Sequence, residues 1–224
     1  MRAGGPDSHA ASEALEQLCR MYWYPLYGFA RRHGCSPSDA EDLTQSFFAR
    51  LLEHGFIARA DPAKGRFRTF LLTLFKRFLA NEWHREHAQK RGGFQGIVSI
   101  DSAFAESRFG AEPAHGEQPD ALFERQWAIT LLDQVMNRLR EEYVASGRGS
   151  LFEHLEACLI RDVVSLPYAE IAARLNLTEP AIKMAMHRLR ARYQAILREE
   201  IGKTVACPED VEMELQDLFN AFRA

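Results

Sequence analysis

Long apolar runs, paired cysteines and a large net charge are all missing from this chain of 224 residues. No apolar segment approaches the roughly 20 residues that a membrane helix needs, so the sequence predicts no membrane partner. The start, MRAGGPDSHAAS, lacks the apolar core of a signal peptide, which favours a cytoplasmic protein. The cysteines Cys19, Cys35, Cys158 and Cys207 are not spaced in pairs, so we predict reduced thiols without zinc or redox function.

Patterns typical of catalysis and cofactor binding are also missing. No glycine-rich phosphate loop follows a strand, and no nucleophile elbow or Ser/His/Asp signature is present. His84 and His87 could share a helix face, but no third ligand stands at a suggestive spacing. The sequence therefore predicts neither an enzyme nor a metal site, and it implies no cofactor.

The charge that is present is unevenly distributed, although the formal net charge is only -3. Cations dominate residues 64–91 and a second stretch near residues 183–198, whereas acids collect in residues 39–42 and in the tail after residue 208. A protein with two local basic patches can bind nucleic acid whatever its overall isoelectric point. DNA is therefore a candidate partner.

Helical periodicity runs through almost the whole chain, and no convincing pair of alternating strands appears. The sequence predicts an all-α fold with two helical domains joined by a linker, the second containing a helix-turn-helix. Predicted helices cover about 12–32, 37–54 with Ser36 as the N-cap, 67–89, 120–145, 150–162 and 209–222, besides the pair in 166–200. The predicted domains are 11–91, a linker 92–120, 121–202, and an acidic C-terminal extension 203–224.

Residues 166–200 give the strongest pattern in the chain, two helices joined by a tight turn. Asn176 tolerates the left-handed conformation that such a turn requires, and Thr178 is a good N-cap for the second helix. Ile182, Met186 and Leu189 form an apolar face on that helix, and cations occupy another face. A short helix packed on a longer basic helix is how a helix-turn-helix enters the major groove, although bare patterns of this kind also occur in other helical pairs.

Two clusters in the first half carry the remaining functional signal. Cations in residues 64–85 alternate with aromatic residues, a mixture suited to phosphate contact and base stacking; most of these aromatics fit the core better, and Trp83 lies beside the polar face. Acids crowd the first turn of the second predicted helix at Asp39, Glu41 and Asp42. They either complement the helix dipole or form an exposed surface that docks a partner.

Four segments, in this order, resemble a bacterial sigma factor of the extracytoplasmic-function (ECF) type. They are WYPLYGFARR, SDAEDLTQSFFARLL, DPAKGRFRTFLLTLFKRFLANEWHRE and LPYAEIAARLNLTEPAIKMAMHRLRARY. The first three are similar to the domain that docks on polymerase and opens the minus-ten element, and the fourth to the helix-turn-helix that reads the minus-thirty-five element. KRGG, QWAITLLDQV and the tail IGKTVACPEDVEMEL resemble a planctomycete-like subgroup.

The resemblance implies three sets of binding residues. Docking on the clamp helices of the polymerase beta-prime subunit is implied for Asp39, Glu41, Asp42 and Gln45. Contact with the minus-ten strand or its phosphates is implied for Lys64, Gly65, Arg66, Arg68, Lys76, Arg77, Asn81 and Arg85, to which the sequence pattern adds Trp83. Contact with the minus-thirty-five element is implied for Thr178, Glu179, Ala181, Lys183, His187, Arg188 and Arg190.

The implied partners are therefore RNA polymerase core and promoter DNA, and the implied role is in transcription initiation. The regulator stays open between an anti-sigma factor and a serine/threonine kinase. Two other classes remain alternatives. One is a helix-turn-helix transcriptional regulator that acts without core polymerase, and the other is a helical adaptor whose basic faces bind an acidic protein.

Overall fold

The structure, a computed structural model, describes residues 6–53, 66–88, 102–110, 118–160, 168–205 and 207–223. Side chains are described in these ranges except at 6–15, 84–88, 102–104 and 160. The described residues form helices and connecting turns and contain no strand, which confirms the predicted all-α fold. No helix in these ranges is long and apolar enough to cross a membrane. The four cysteines are free thiols.

The helices follow one another with short connections in the described ranges. They are α1 (Pro6–Arg32), α2 (Pro37–Glu53), α3 (Phe67–Ala88), α4 (Ser102–Gly110), α5 (Pro119–Ala145), α6 (Gly149–Ile160), α7 (Tyr168–Arg174), α8 (Glu179–Gly202) and α9 (Val211–Asn220), with a 3-10 turn (Pro208–Asp210) before α9. The chain divides into two compact units. Unit 1 comprises Met1–Thr130 with Thr204–Ala224, and unit 2 comprises Leu131–Lys203.

Aromatic side chains from α1, α2 and α3 form the core of unit 1. The Phe47 and Phe75 rings meet edge to face with centroids 4.9 Å apart, and Phe29 packs on Phe75 at 6.2 Å. Leu26 and Tyr27 in α1 are fully buried. Such aromatic pairs contribute about 0.5–1.5 kcal/mol beyond the burial of their area. This core fixes the three helices that carry the first two predicted sites.

The turn between α1 and α2 follows the predicted cap. Gly34 adopts a positive φ of 88°, and its N–H donates to the carbonyl of Arg31 at 3.1 Å, which ends α1. Ser36 Oγ accepts from the Asp39 N–H at 3.2 Å and donates to Asp39 Oδ2 at 2.6 Å. The sequence therefore located the start of α2 correctly.

Part of the predicted linker 92–120 is a helix instead. Within α4, Glu106 pairs with Arg31 Nε at 2.7 Å and accepts a hydrogen bond from the Tyr27 hydroxyl. The Arg108 guanidinium lies 4.1 Å from the Tyr24 ring centroid. The linker pattern missed this helix because its partners lie about 75 residues away, on α1. The units also divide within α5, between Thr130 and Leu131, and not at residues 120 and 121.

Unit 2 contains the second part of α5 with α6, α7 and α8. Leu131, Val135 and Leu139 recur at helical spacing in α5 and are fully buried. Arg192 in α8 donates two hydrogen bonds of 2.7 Å to the Glu142 carboxylate in α5. The Arg192 guanidinium holds the pKa of the Glu142 carboxyl below its usual range. The cation at position 192 thus joins two helices and is not part of a solvated basic face.

Candidate nucleic-acid interface

A tight turn joins α7 to α8 as the sequence predicts. Asn176 has φ 53°, and the Leu177 N–H donates to the Ala172 carbonyl at 2.9 Å, closing the end of α7. Thr178 is the N-cap of α8, and its side chain accepts from the Ala181 N–H at 3.4 Å. Ile171, Ala172 and Ile182 are buried. The local geometry of the pair is therefore set by one left-handed residue and one cap.

The face of α8 opposite its buried stripe is cationic and exposed. Lys183, His187, Arg188 and Arg190 are all exposed there, while Ile182, Met186 and Leu189 are buried. Lys183 Nζ pairs with Glu179 at 2.7 Å, and this hydrogen bond raises the pKa of Lys183. Thr178 and Glu179 are exposed at the start of α8, and Ala181 is half-buried. All seven predicted minus-thirty-five residues therefore lie on α8 or its cap.

An exposed face also runs along α3. Lys76, Arg77, Asn81 and Trp83 are exposed, and the Trp83 side chain is 62 % accessible. The opposite face buries Leu71, Leu72, Phe75 and Phe78, whereas Phe67, Phe70 and Leu74 are half-buried. Arg85 belongs to α3, but its side chain lies outside the described residues, as do those of His84 and His87. Lys64 and Gly65 lie outside the described residues altogether.

Arg68 does not face solvent. Its side chain is 2 % exposed, and its guanidinium pairs with Glu124 and Glu214 and lies 4.2 Å from the Trp127 ring centroid. The prediction that Arg68 faces DNA is wrong for this arrangement. Arg68 stands three residues before Leu71 and four before Leu72, so it shares the buried face of α3.

Two more of the predicted minus-ten cations contact acids. Arg66, just before α3, pairs through Nε with Glu214 at 3.2 Å and through its terminal nitrogen with Asp217. Lys76 Nζ lies 2.6 Å from Asp120. The Lys76 pair is largely exposed, so it contributes at most about 1 kcal/mol and opens easily. Glu214 is buried, so its pair with Arg66 is partly shielded from solvent, unlike the exposed pair of Lys76 and Asp120.

The predicted docking acids lie together on the first turns of α2. Asp39 and Asp42 are exposed, whereas Glu41 and Gln45 are half-buried and joined by a hydrogen bond of 3.2 Å. On the other side of α2, Thr44, Phe47 and Phe48 are buried. The acids are therefore on the outer side of the helix, where dipole complementation and partner docking are both compatible with their positions.

A cavity of about 390 Å³ between α1, α2 and α3 brings residues of two predicted sites together. Its lining includes Phe29, Asp39, Leu43, Lys76 and Trp83. Asp39 belongs to the predicted docking set, and Lys76 and Trp83 belong to the predicted minus-ten set. Nothing in the sequence pattern indicated this proximity, because it depends on the packing of three helices. In the described residues no group of three or more His, Cys, Asp or Glu side chains could hold a metal ion.

The residues that sequence reasoning missed are the partners of Arg66 and Arg68. Glu124 and Trp127 come from α5, and Glu214 and Asp217 from α9. A signal for the last two was present, because Glu214 and Asp217 are one helical turn apart, each next to a leucine of the apolar stripe. The sequence showed that the tail is acidic, but it did not indicate that the tail contacts Arg66 and Arg68.

Residues 18–89 match the family model described as Sigma-70 region 2. The match covers α1 from residue 18, α2 and α3, which are the helices of the acidic cluster and of the exposed cationic face. It supports a sigma-70 family factor with a role in transcription initiation. No curated protein and no solved structure matches the chain.

Proposed function

We propose, taking the Sigma-70 region 2 domain as the premise, that this chain is an ECF-type sigma factor. It directs core RNA polymerase to promoters and assists the opening of the minus-ten element. The observation that carries this proposal is the coincidence of the region 2 match with exposed acids on α2 and an exposed cationic and aromatic face on α3.

In unit 1 the proposed mechanism needs binding surfaces and no catalytic residue. Asp39, Asp42 and their neighbours Glu41 and Gln45 dock on the beta-prime clamp helices. Arg77, Asn81 and Trp83 hold the opened strand, because phosphates attract the cation and an unstacked base can stack on the indole. Unstacking a base costs a few kcal/mol, and stacking on the indole together with contacts in a pocket offsets roughly that free energy.

In unit 2 we propose that α7 and α8 form a helix-turn-helix that reads the minus-thirty-five element. The support is the exposed cationic face of α8 beginning at a capped N-terminus, since recognition helices contact base edges through their N-terminal residues. Promoter DNA and the polymerase would place this protein in the cytoplasm. An anti-sigma factor or a serine/threonine kinase would be its regulator, and the planctomycete-like subgroup is part of this proposal.

Run-off transcription with core polymerase tests the proposed function. Purified chain, core enzyme and the DNA upstream of the chain's own gene should give a discrete transcript that core enzyme alone does not give. The chain should also form a stoichiometric complex with core enzyme in gel filtration. A helix-turn-helix regulator would bind DNA without forming that complex, and a helical adaptor would do neither. Either of these results would overturn the proposal.

The cations of α8 should divide into two classes. Arg188→Ala should weaken holoenzyme binding to all promoter sequences and reduce the slope of log affinity against log salt by about 1, as the loss of one phosphate contact does. Lys183→Ala should in addition relax the preference at one or two base pairs, because Lys183 lies in the first turns of α8. Binding competitions over a library of minus-thirty-five sequences measure both effects. Equal losses on every sequence for both variants would contradict the role of Lys183.

A further inference from the structure

The acidic helix α9 contacts Arg66, a residue of the predicted minus-ten set that lies just before α3. Glu214 contacts both Arg66 and Arg68, and Asp217 contacts Arg66. Arg66 is 43 % exposed, whereas Glu214 is 5 % exposed. The carboxylates of α9 therefore bind donors that a phosphate group would need, at the point where α3 begins.

Arg68 acts as the anchor for this contact. Because it is buried and bonded to Glu124 as well, it presents a fixed positive charge to Glu214. A buried carboxylate needs such a partner, since an unpaired buried charge is strongly unfavourable. Leu215 and Leu218, next to the two acids in sequence, are buried as well. The face of α9 that carries the acids is thus the face that is docked.

The docked helix is short. It spans only Val211–Asn220, and isolated helices below about 12 residues are marginal in water. Its other side exposes Met213 and Phe219, with 56 % and 55 % of their surfaces accessible. The order of α9 therefore depends on the one face that contacts the rest of unit 1. A competitor for Arg66 would remove part of that support.

We propose that α9 is an intramolecular competitor for the DNA strand. Its carboxylates neutralise Arg66 and repel phosphates from the start of α3 until DNA displaces the helix. This inference rests on the proposed function, because it requires that the surface at α3 binds a nucleic-acid strand. It adds that the same chain carries the group that blocks the surface.

Charge removal on α9 tests the competition in the full-length chain. The variants are Asp217→Asn alone and Glu214→Gln with Asp217→Asn, both nearly isosteric. The probe is a fluorescein-labelled oligothymidylate, titrated by fluorescence anisotropy at two salt concentrations. We expect affinity to rise about threefold in the single variant and about tenfold in the double variant, with a steeper salt dependence because Arg66 becomes able to contact phosphate.

The matched control is Glu209→Gln with Asp210→Asn, which removes two charges from the same tail outside the ion pairs with Arg66 and Arg68. It should change affinity less than twofold. In the unaltered chain, the oligonucleotide should also speed amide hydrogen exchange in α9, because displacement opens its hydrogen bonds. Asp217→Asn retains the buried Glu214, so it stays informative if the double variant is unstable.

Failure of the competition by α9 and failure of the proposed function give different experimental results. If the wild-type chain supports run-off transcription but the Asp217 and Glu214 variants bind DNA no better than the control, α9 is a fixed part of unit 1 and the inference is overturned. The absence of detectable oligonucleotide binding in every variant would overturn it as well. If no transcript forms with core enzyme and the chain does not bind it, the proposed function fails, and the competition for a promoter strand fails with it.

Discussion

Arg68→Met should lower the free energy of unfolding of unit 1 by about 3 kcal/mol, because it breaks a buried ion pair. Methionine fills much of the volume of the arginine stem but removes the charge. Among the described residues, Glu214, which is 5 % exposed, then keeps Arg66 at 3.2 Å as its cationic partner. The cost arises from a carboxylate left partly uncompensated in a poorly solvated site.

Urea unfolding followed by tryptophan fluorescence measures this change in unit 1 alone. All three tryptophans, Trp23, Trp83 and Trp127, lie in unit 1, and Trp127 lies directly beside the Arg68 guanidinium. Arg77→Met is the control, because Arg77 is an exposed arginine on the same helix and its loss should cost less than about 0.5 kcal/mol.

A double variant separates charge from packing at this site. Arg68→Met with Glu214→Leu removes the buried charge together with its partner, and it should recover most of the lost stability, since apolar pairs often replace buried ion pairs without net cost. If Arg68→Met and Arg77→Met unfold at the same urea concentration, the ion pairs of Arg68 do not stabilise unit 1. No recovery in the double variant would show that the loss in Arg68→Met does not come from the unpaired charge of Glu214.

Asp42→Arg should weaken association with core polymerase about a hundredfold. Asp42 is exposed on α2, and a reversed charge facing a basic partner surface adds repulsion as well as removing attraction, together about 2–3 kcal/mol. Asp39 is less suitable for this test because it bonds to Ser36 at the start of α2, so its replacement would also weaken the helix. Titration of labelled chain with core enzyme gives the dissociation constant.

Glu53→Arg is the matched control for Asp42→Arg. It makes the same charge change on the same helix, and Glu53 is also exposed. The two positions are about 16 Å apart along the axis, at a rise of about 1.5 Å per residue. Equal weakening by both variants would show that Asp42→Arg acts through the general charge of the chain and not through a specific docking contact. A drop in the melting temperature of Asp42→Arg alone would assign its effect to folding.

Local signals in the sequence were sufficient for most helix boundaries. Ser36 and Thr178 accept the cap hydrogen bonds expected of them, and Asn176 takes the left-handed conformation that ends α7. The apolar spacing in α8 correctly predicted which side is buried and therefore which cations are exposed. These features depend on residues within one or two helical turns of each other, so a single sequence contains them.

The pairing of charges could not be read in the same way. A cation in a helix pattern is equally compatible with DNA, solvent or a distant carboxylate. Arg192 and Arg68 illustrate this, since Arg192 pairs with Glu142 of α5, and Arg68 pairs with Glu124 of α5 and Glu214 of α9. The position of Arg68 relative to Leu71 and Leu72 did contain a warning, because all three share one face of α3. The alternation of cations and aromatic residues in this segment instead favoured an exposed nucleic-acid surface.

The sequence by itself determined the all-α class, the helix starts and turns, and the two exposed cationic helices. Only the tertiary structure decided that α4 packs on α1, that α5 crosses the division between the units, and that α9 returns to the beginning of α3. Helix formation is governed by neighbouring residues, which lie next to each other in the sequence. Long-range packing decides which acid each cation contacts. Arg66 and Asp217, for example, are in contact although about 150 positions separate them in the sequence.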